Sequence, residues 1–272
     1  MAQEGHSGAG PIPFPCAQTK GNVRVSLRGA VWFIPCHRAV GSQPSKTNMK
    51  QLIEGIKKFR DDVFPEHSGL FSKLASGQTP QALFITCADS RIVPDLITQT
   101  KPGDLFICRT VGNLVPPHGH GDGGVACAIE YAVTVLNVSN VIICGHSDCG
   151  AMKALLHPET TEKLPHTRSW LRFGEAAREV VRGTGLATSD AEQLSALVEE
   201  NVVVQLEHLK THPAVAARLA RGKLQLYGLA YSIHDGEISS YDSAAERFVP
   251  VDGRLASATP RMRVMAARKE VA

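Results

Sequence analysis

From Met49 onward the apolar positions follow two alternating periods. Leu52, Ile53, Ile56, Phe59 and Val63 recur at helical spacing, with Lys57, Lys58, Asp61 and Asp62 on the other face. This predicts a helix over 49–63, and a shorter one follows over 69–76 and stops at Gly77. Apolar runs at 82–86, 105–109 and 140–144 read as buried strands. Pro94 suits the first turn of a helix after the first of them. Helical patterns return at 125–136, 166–181, 191–210 and 212–220, the last after a break at Pro213. A fourth strand is expected over 224–231, and Asp235-Gly236 is a turn signal for a hairpin with 237–241. Strands alternating with helices argue for an α/β fold: a mostly parallel central sheet flanked by helices, with a C-terminal antiparallel hairpin extension.

Residues 1–47 differ in kind. They are rich in Gly, Pro and Ser, contain Glu4 as their only acid, and show no sustained periodicity. The apolar run at 30–35 is too short for a secretory core, and Arg24 and Arg28 stand close to it. A transit peptide, a disordered tail and sequence upstream of a true start at Met49 all fit; the reading adopted is a disordered, non-functional extension. The expected organisation is therefore an extension over 1–47, a folded domain over 48–245 and a C-terminal tail over 246–272.

Composition narrows the function classes. The 272 residues are 43% hydrophobic and 20% charged, as in ordinary globular proteins. A net charge of +3, with no element concentrating the basic residues, gives no reason to expect nucleic acid or a membrane surface. No apolar run approaches the roughly 20 residues of a membrane span. A cytoplasmic location is expected, with organelle targeting by the extension left open. Seven cysteines are an odd count and make no disulfide framework. Cys108, Cys127 and Cys144 sit in apolar stretches and read as small packed hydrophobes in a reducing compartment.

The candidate chemistry lies just after two of the strands, in Cys87-Ala88-Asp89-Ser90-Arg91 and His146-Ser147-Asp148-Cys149. The carboxyl ends of parallel strands converge on one crevice, so these stretches can meet. Cys87, His146 and Cys149 supply two sulfurs and one nitrogen, an incomplete tetrahedron of the kind catalytic zinc uses. Cys87, Asp89 and Arg91 follow at two-residue steps and can face one side. Asp89 would accept the proton of a zinc-bound hydroxide and aim its lone pair at the substrate. Arg91 would keep Asp89 ionised and off the metal. Two thiolates leave the site nearly neutral, which predicts activity rising at mildly alkaline pH. Asp148 is read as a cap of the following helix and left out of the site. The glycine-rich stretch 119–124 lacks the phosphate-binding patterns.

These motifs resemble the β-class carbonic anhydrases, whose pattern is C-x-D-x-R with H-x-x-C downstream. The likeness runs from about Met49 to Tyr241 and includes R-T-V-G-N-L-V-P-P from Arg109, A-I-E-Y-A-V from Ala128 and E-N-V-V-V-Q-L from Glu200. The resemblance implies one Zn²⁺ per chain on Cys87, His146 and Cys149, an Asp89–Arg91 dyad, and reversible hydration of CO₂ to bicarbonate and a proton. It further implies a substrate pocket of Gln78, Phe106, Val111 and Tyr131, with the glutamine, phenylalanine and tyrosine supplied by a neighbouring subunit. A homodimer or larger homo-oligomer with shared sites follows, with the helix near Met49 to Val63 packed on its partner. Another group in the family has a tryptophan three residues before the first cysteine, forming part of an inhibitory bicarbonate pocket. Here Phe84 stands there, although Arg109 and Tyr131 match other parts of that pocket, so the open type of zinc site is expected.

Carbonyl sulfide or carbon disulfide hydrolysis on the same fold is the main alternative. A nucleoside deaminase is rejected because H-x-E and P-C-x-x-C are missing around His146 and Cys87. A non-catalytic zinc scaffold would need a fourth protein ligand. His118, His120 and His208 are candidate proton shuttles, with an exposed histidine of no role as the plainer reading of each.

Overall fold

The apolar run Ala82–Cys87 forms a strand buried at every residue, as a strand covered on both faces must be. Numbered in chain order, the strands are β1 (Val23–Leu27), β2 (Ala30–Ile34), β3 (Ala82–Cys87), β4 (Leu105–Thr110), β5 (Asn140–His146), β6 (Gln225–Tyr231), β7 (Ile238–Asp242) and β8 (Arg247–Pro250). The computed structural model describes residues 48–120, 123–185 and 187–259, together with the backbone of 23–27 and 30–34. The remainder of the expected extension, Gly121 and Asp122 of the glycine-rich stretch, and residues 260–272 lie outside the described residues.

Strands β3 to β8 form one sheet in the order β4-β3-β5-β6-β7-β8. The first four are parallel, and β7 and β8 extend them antiparallel. This is the expected α/β architecture. The chain leaves β3 toward one side to make β4 and returns on the other side as β5. The order thus reverses around β3, and loops leaving the carboxyl ends of β3 and β5 open a crevice there. The pairing of Thr86 with Cys144 brings the ends of these two strands side by side.

Alternate residues of the strands feed opposite faces. Leu83, Ile85, Val141, Ile143 and Leu226 pack with Ile129, Val133, Val202, Leu206 and Leu209. Ala82, Phe84, Ile142, Cys144 and Leu229 gather on the other face. The long helix Asp190–Lys210 starts at a capping box, in which Ser189 Oγ accepts from Glu192 N and Glu192 Oε2 accepts from Ser189 N. It seats closely on the sheet because β5 and β6 carry glycine beneath it. A Cβ on Gly145 would come within 2.9 Å of Val202, and one on Gly228 within 2.7 Å.

Three expectations need correction. The helix expected over 166–181 is two helices, Pro165–Leu171 and Glu175–Thr184, joined by a 3₁₀ turn ending at Gly174. A Cβ on Gly174 would lie 2.5 Å from the end of the Leu155 side chain, so this bend is packed closely against its neighbour. The helix expected over 125–136 is α-helical over Gly123–Glu130 and then widens into a π turn over Tyr131–Val135. The expected tail from 246 contains β8, paired in register with β7 from Asp242↔Arg247 to Ser239↔Pro250.

The chain divides into two compact units, Met1–His67 and Ser68–Ala272. In the first unit β1 and β2 pair antiparallel. Its helix Met49–Lys58 begins with a capping box between Asn48 and Gln51 and buries none of its residues. Leu52, Ile53 and Ile56 are exposed on it.

Candidate metal centre

Cys87 is the last residue of β3, and His146 the last of β5. Cys149 stands immediately before the helix Gly150–Leu156. Their ligand atoms all lie within 4.8 Å of one another, and all three residues are buried. The two sulfurs are 4.0 Å apart. Cys87 is held well below the ordinary thiol range, first by the neighbouring Cys149 and then by the backbone N–H groups of Asp89 and Gly112. Cys149 is pushed the other way by the charge on Cys87 and by burial. Two buried thiols at this distance can both ionise only with a cation between them.

The imidazole carries the same message. His146 Nδ1 lies 2.9 Å from the Ser147 carbonyl oxygen, which can only accept, so Nδ1 holds the proton. Nε2 is then a bare lone pair, buried and without a hydrogen-bond partner. An orphaned acceptor facing two thiols fits a thiophilic divalent ion, zinc above all.

Asp89 and Arg91 adjoin this cluster. Arg91 Nε donates to Asp89 Oδ1 at 3.0 Å and Nη2 to Oδ2 at 2.8 Å, a bidentate pair. The Arg91 backbone N–H also donates to Oδ1. Arg91 holds the Asp89 carboxyl well below the usual carboxylate range. Asp89 Oδ2 lies 3.9 Å from His146 Nε2, so the ionised carboxylate borders the cluster.

The loop after β4 closes the site from the third side, and side chains hold most of its backbone. Gly112 N–H donates to Cys87 Sγ at 3.3 Å. Its carbonyl accepts from Asn201 Nδ2 at 3.0 Å, and the Val111 carbonyl accepts from Trp170 Nε1 at 2.8 Å. Gln205 receives Val115 N–H and donates to Asn201 Oδ1 and the Phe173 carbonyl. His208 and His212 donate to the carbonyls of Val115 and Pro116. Beneath the Cys87 loop, Arg109 donates to the carbonyls of Cys87, Asp89 and Ile92.

A family model for carbonic anhydrase matches residues 82–238. A carbonic anhydrase of Pseudomonas aeruginosa is 47% identical over 201 residues, which span 74% of this chain and 91% of that protein. The solved structure of the β-carbonic anhydrase CcaA superposes with a TM-score of 0.74 at 44% identity, covering 76% of this chain and 94% of that one. The chain belongs to the β-class carbonic anhydrases. Tetrameric β-carbonic anhydrases from Sordaria macrospora also superpose, with a TM-score of 0.58 at 28% identity over 70% of this chain and 92% of theirs.

The pocket residues expected of a β-class carbonic anhydrase are not all gathered within one chain. Val111 is, next to Gly112, and it is exposed. Gln78 is exposed on the segment entering β3, at the opposite end of that strand from Cys87. Six residues of strand span about 20 Å. Phe106 pairs in register with Leu83, well back from the end of β3. Its ring lies 5.9 Å from that of Tyr131, which is 42% exposed.

Other residues have roles that spacing did not show. Asp148 accepts from Arg91, which the reading of it as a helix cap missed. His208 braces a carbonyl and so is neither a free shuttle nor an idle exposed residue; His118 and His120 are exposed. Phe84 is fully buried core. Cys144 is buried as expected, its thiol pushed up to about 12 by burial, and Cys108 is partly buried, whereas Cys127 is exposed. Among the described residues no helix is long and apolar enough to cross a membrane.

Proposed function

We propose that this enzyme catalyses zinc-dependent reversible hydration of CO₂ to bicarbonate and a proton. The observation that carries this is the buried Cys87–His146–Cys149 cluster, with its unpartnered Nε2, bordered by the Asp89–Arg91 pair. Cys87 and Cys149 as thiolates and His146 through Nε2 would hold the ion. Zinc bound there supplies Lewis acidity that makes water a nucleophile near neutral pH. Asp89, kept ionised by Arg91, accepts a hydrogen bond from the attacking oxygen at Oδ2 and so turns the lone pair of that oxygen toward the carbon of CO₂. Arg91 keeps Asp89 from taking the fourth position itself.

Gln78, Phe106 and Tyr131 complete the pocket from a second copy of the chain: the glutamine amide donates to a bicarbonate oxygen, and the two rings with Val111 form an apolar wall. The distance of Gln78 from its own Cys87 supports this, as does the exposure of Leu52, Ile53 and Ile56. The tetrameric relatives point the same way.

The test is stopped-flow CO₂ hydration by the zinc-loaded protein and by protein stripped with a chelator, from neutral to alkaline pH. Zinc-dependent turnover that rises with pH is expected. Absence of turnover with zinc bound would overturn the assignment and direct the search to carbonyl sulfide or carbon disulfide.

A further inference from the structure

Arg91 is shared between two carboxylates. On one side it grips Asp89 through Nε and Nη2. On the other, Nη1 donates to Asp148 Oδ2 at 2.9 Å and Nη2 donates to the Asp148 carbonyl at 3.2 Å. Nε, Nη1 and Nη2 all have partners, and the plane of the guanidinium is fixed by the two residues together. The second oxygen of Asp148, Oδ1, pairs with Lys153 Nζ. Asp148 has a φ of 58°, the left-handed conformation that aspartate tolerates better than most residues. This places its side chain on Arg91, while its flanking neighbours His146 and Cys149 serve the metal cluster.

We infer that Asp148, backed by Lys153, is a positioning residue that keeps the fourth metal position open. It acts through Arg91. With its far side anchored, the guanidinium presents Nε and Nη2 to Asp89 in a fixed fork. Without that anchor Arg91 can turn away, and Asp89, whose Oδ2 is already 3.9 Å from His146 Nε2, can move onto the metal as a fourth protein ligand. The inference rests on the zinc reading above. It assigns no stabilising role: Arg91, Asp148 and Lys153 are 41%, 53% and 50% exposed in their side chains, and pairs so exposed add little to folding. A helix cap, by contrast, would act on stability and leave the metal alone.

The experiment uses the full chain with cobalt(II) in place of zinc, titrated with azide at one fixed pH and followed by visible absorption. Azide binds where the fourth position is open. Asp148→Ala is expected to weaken azide binding about tenfold and to lower kcat/KM for CO₂ by a similar factor, the range usual for partners of metal-site residues. Its thermal unfolding midpoint should stay at the wild-type value. Lys153→Met should shift azide affinity the same way by less. Combining Asp148→Ala with Asp89→Asn should restore azide affinity, because the amide competes poorly for the metal. Asp148→Asn keeps the left-handed preference and one acceptor oxygen, so it reports on the anchor if Asp148→Ala folds poorly, with an effect in the same direction. Unchanged azide affinity in Asp148→Ala and Asp148→Asn would overturn the proposal, as would a loss that Asp89→Asn fails to rescue. Absent CO₂ hydration in the wild type, with azide behaving as described, would instead count against the proposed reaction alone.

Discussion

The backbone N–H of Gly112 points at Cys87 Sγ from 3.3 Å, so this sulfur of the buried cluster is held by a loop 25 residues downstream. Gly112 adopts a φ of 73°, and a Cβ there would lie 2.8 Å from the Cβ of Ala151. Gly112→Ala therefore combines left-handed strain with a collision against a buried helix. It should cost about 1–3 kcal/mol of stability and weaken zinc retention, as read by urea unfolding and by competition with a chromogenic chelator.

Asn201 is fully buried and ties Gly112 to Gln205. Asn201→Leu would leave the Gly112 carbonyl and one Gln205 donor bond unmatched in the interior, at about 1–3 kcal/mol. Urea unfolding of the metal-free protein should show the loss, which places it in the fold rather than in metal affinity. An unfolding midpoint equal to the wild type would count against this network.

Much of this is legible in the amino-acid sequence. The apolar runs at β3, β5 and β6 stand out because both faces of these strands feed the core, and the two motifs at the ends of β3 and β5 carry the residues of the buried cluster. What could not be read was anything that depends on a loop's shape. Asp148 reads as a helix cap until the turn places it on Arg91. Asn201 and Gln205 look like ordinary polar positions on a helix, and only the seating of that helix on Gly145 and Gly228 brings them to the Gly112 loop. Strand β8 is not legible in the sequence because Arg247–Pro250 is a short edge strand whose residues are exposed or half-buried, too weak a period to separate from a tail.

Proximity to the cluster, not cysteine chemistry in general, should decide which thiols hold the ion. Cys149→Ala is expected to lose zinc, measured by atomic emission on the desalted protein. Cys144→Ala should retain one zinc per chain, since its thiol is buried and pushed up to about 12. Loss of zinc in Cys144→Ala with the fold intact would contradict the assignment of ligands.

Burial lowers the pKa of His208 and His212 below the ordinary 6.5. The unfolded chain then takes up protons first as the solution is acidified. Their contribution is present above pH 6.5 and is lost as the pH falls through the lower folded values. Urea midpoints of the zinc-loaded protein on either side of pH 6.5 should fall on the acid side, and less steeply in a His208→Gln, His212→Gln double variant. Equal slopes would show that these histidines do not set the dependence. Asp89 is depressed from an already lower carboxylate range and so titrates below this window.

If Gln78 serves the metal of a neighbouring copy, two defective proteins should repair one another. Gln78→Ala and Asp89→Asn are each expected to turn over CO₂ slowly. Unfolded together and refolded, they should regain activity in mixed assemblies, because one site in a hybrid pair then carries both native residues. A mixture no more active than the average of its parents would mean that each chain furnishes its own site.

The pairing of β3 with β5 also sets an order of events during folding. Cys87 and His146 end strands separated in the chain by the helix Pro94–Thr98, β4 and the helix Gly123–Glu130, so Cys87 meets His146 and Cys149 after the chain has gone out to one edge and come back. Until that crossover has closed, the nascent chain offers scattered thiols rather than a chelate. An ion held by the cluster would bridge β3 and β5, so its removal is expected to loosen the pairing of these two strands.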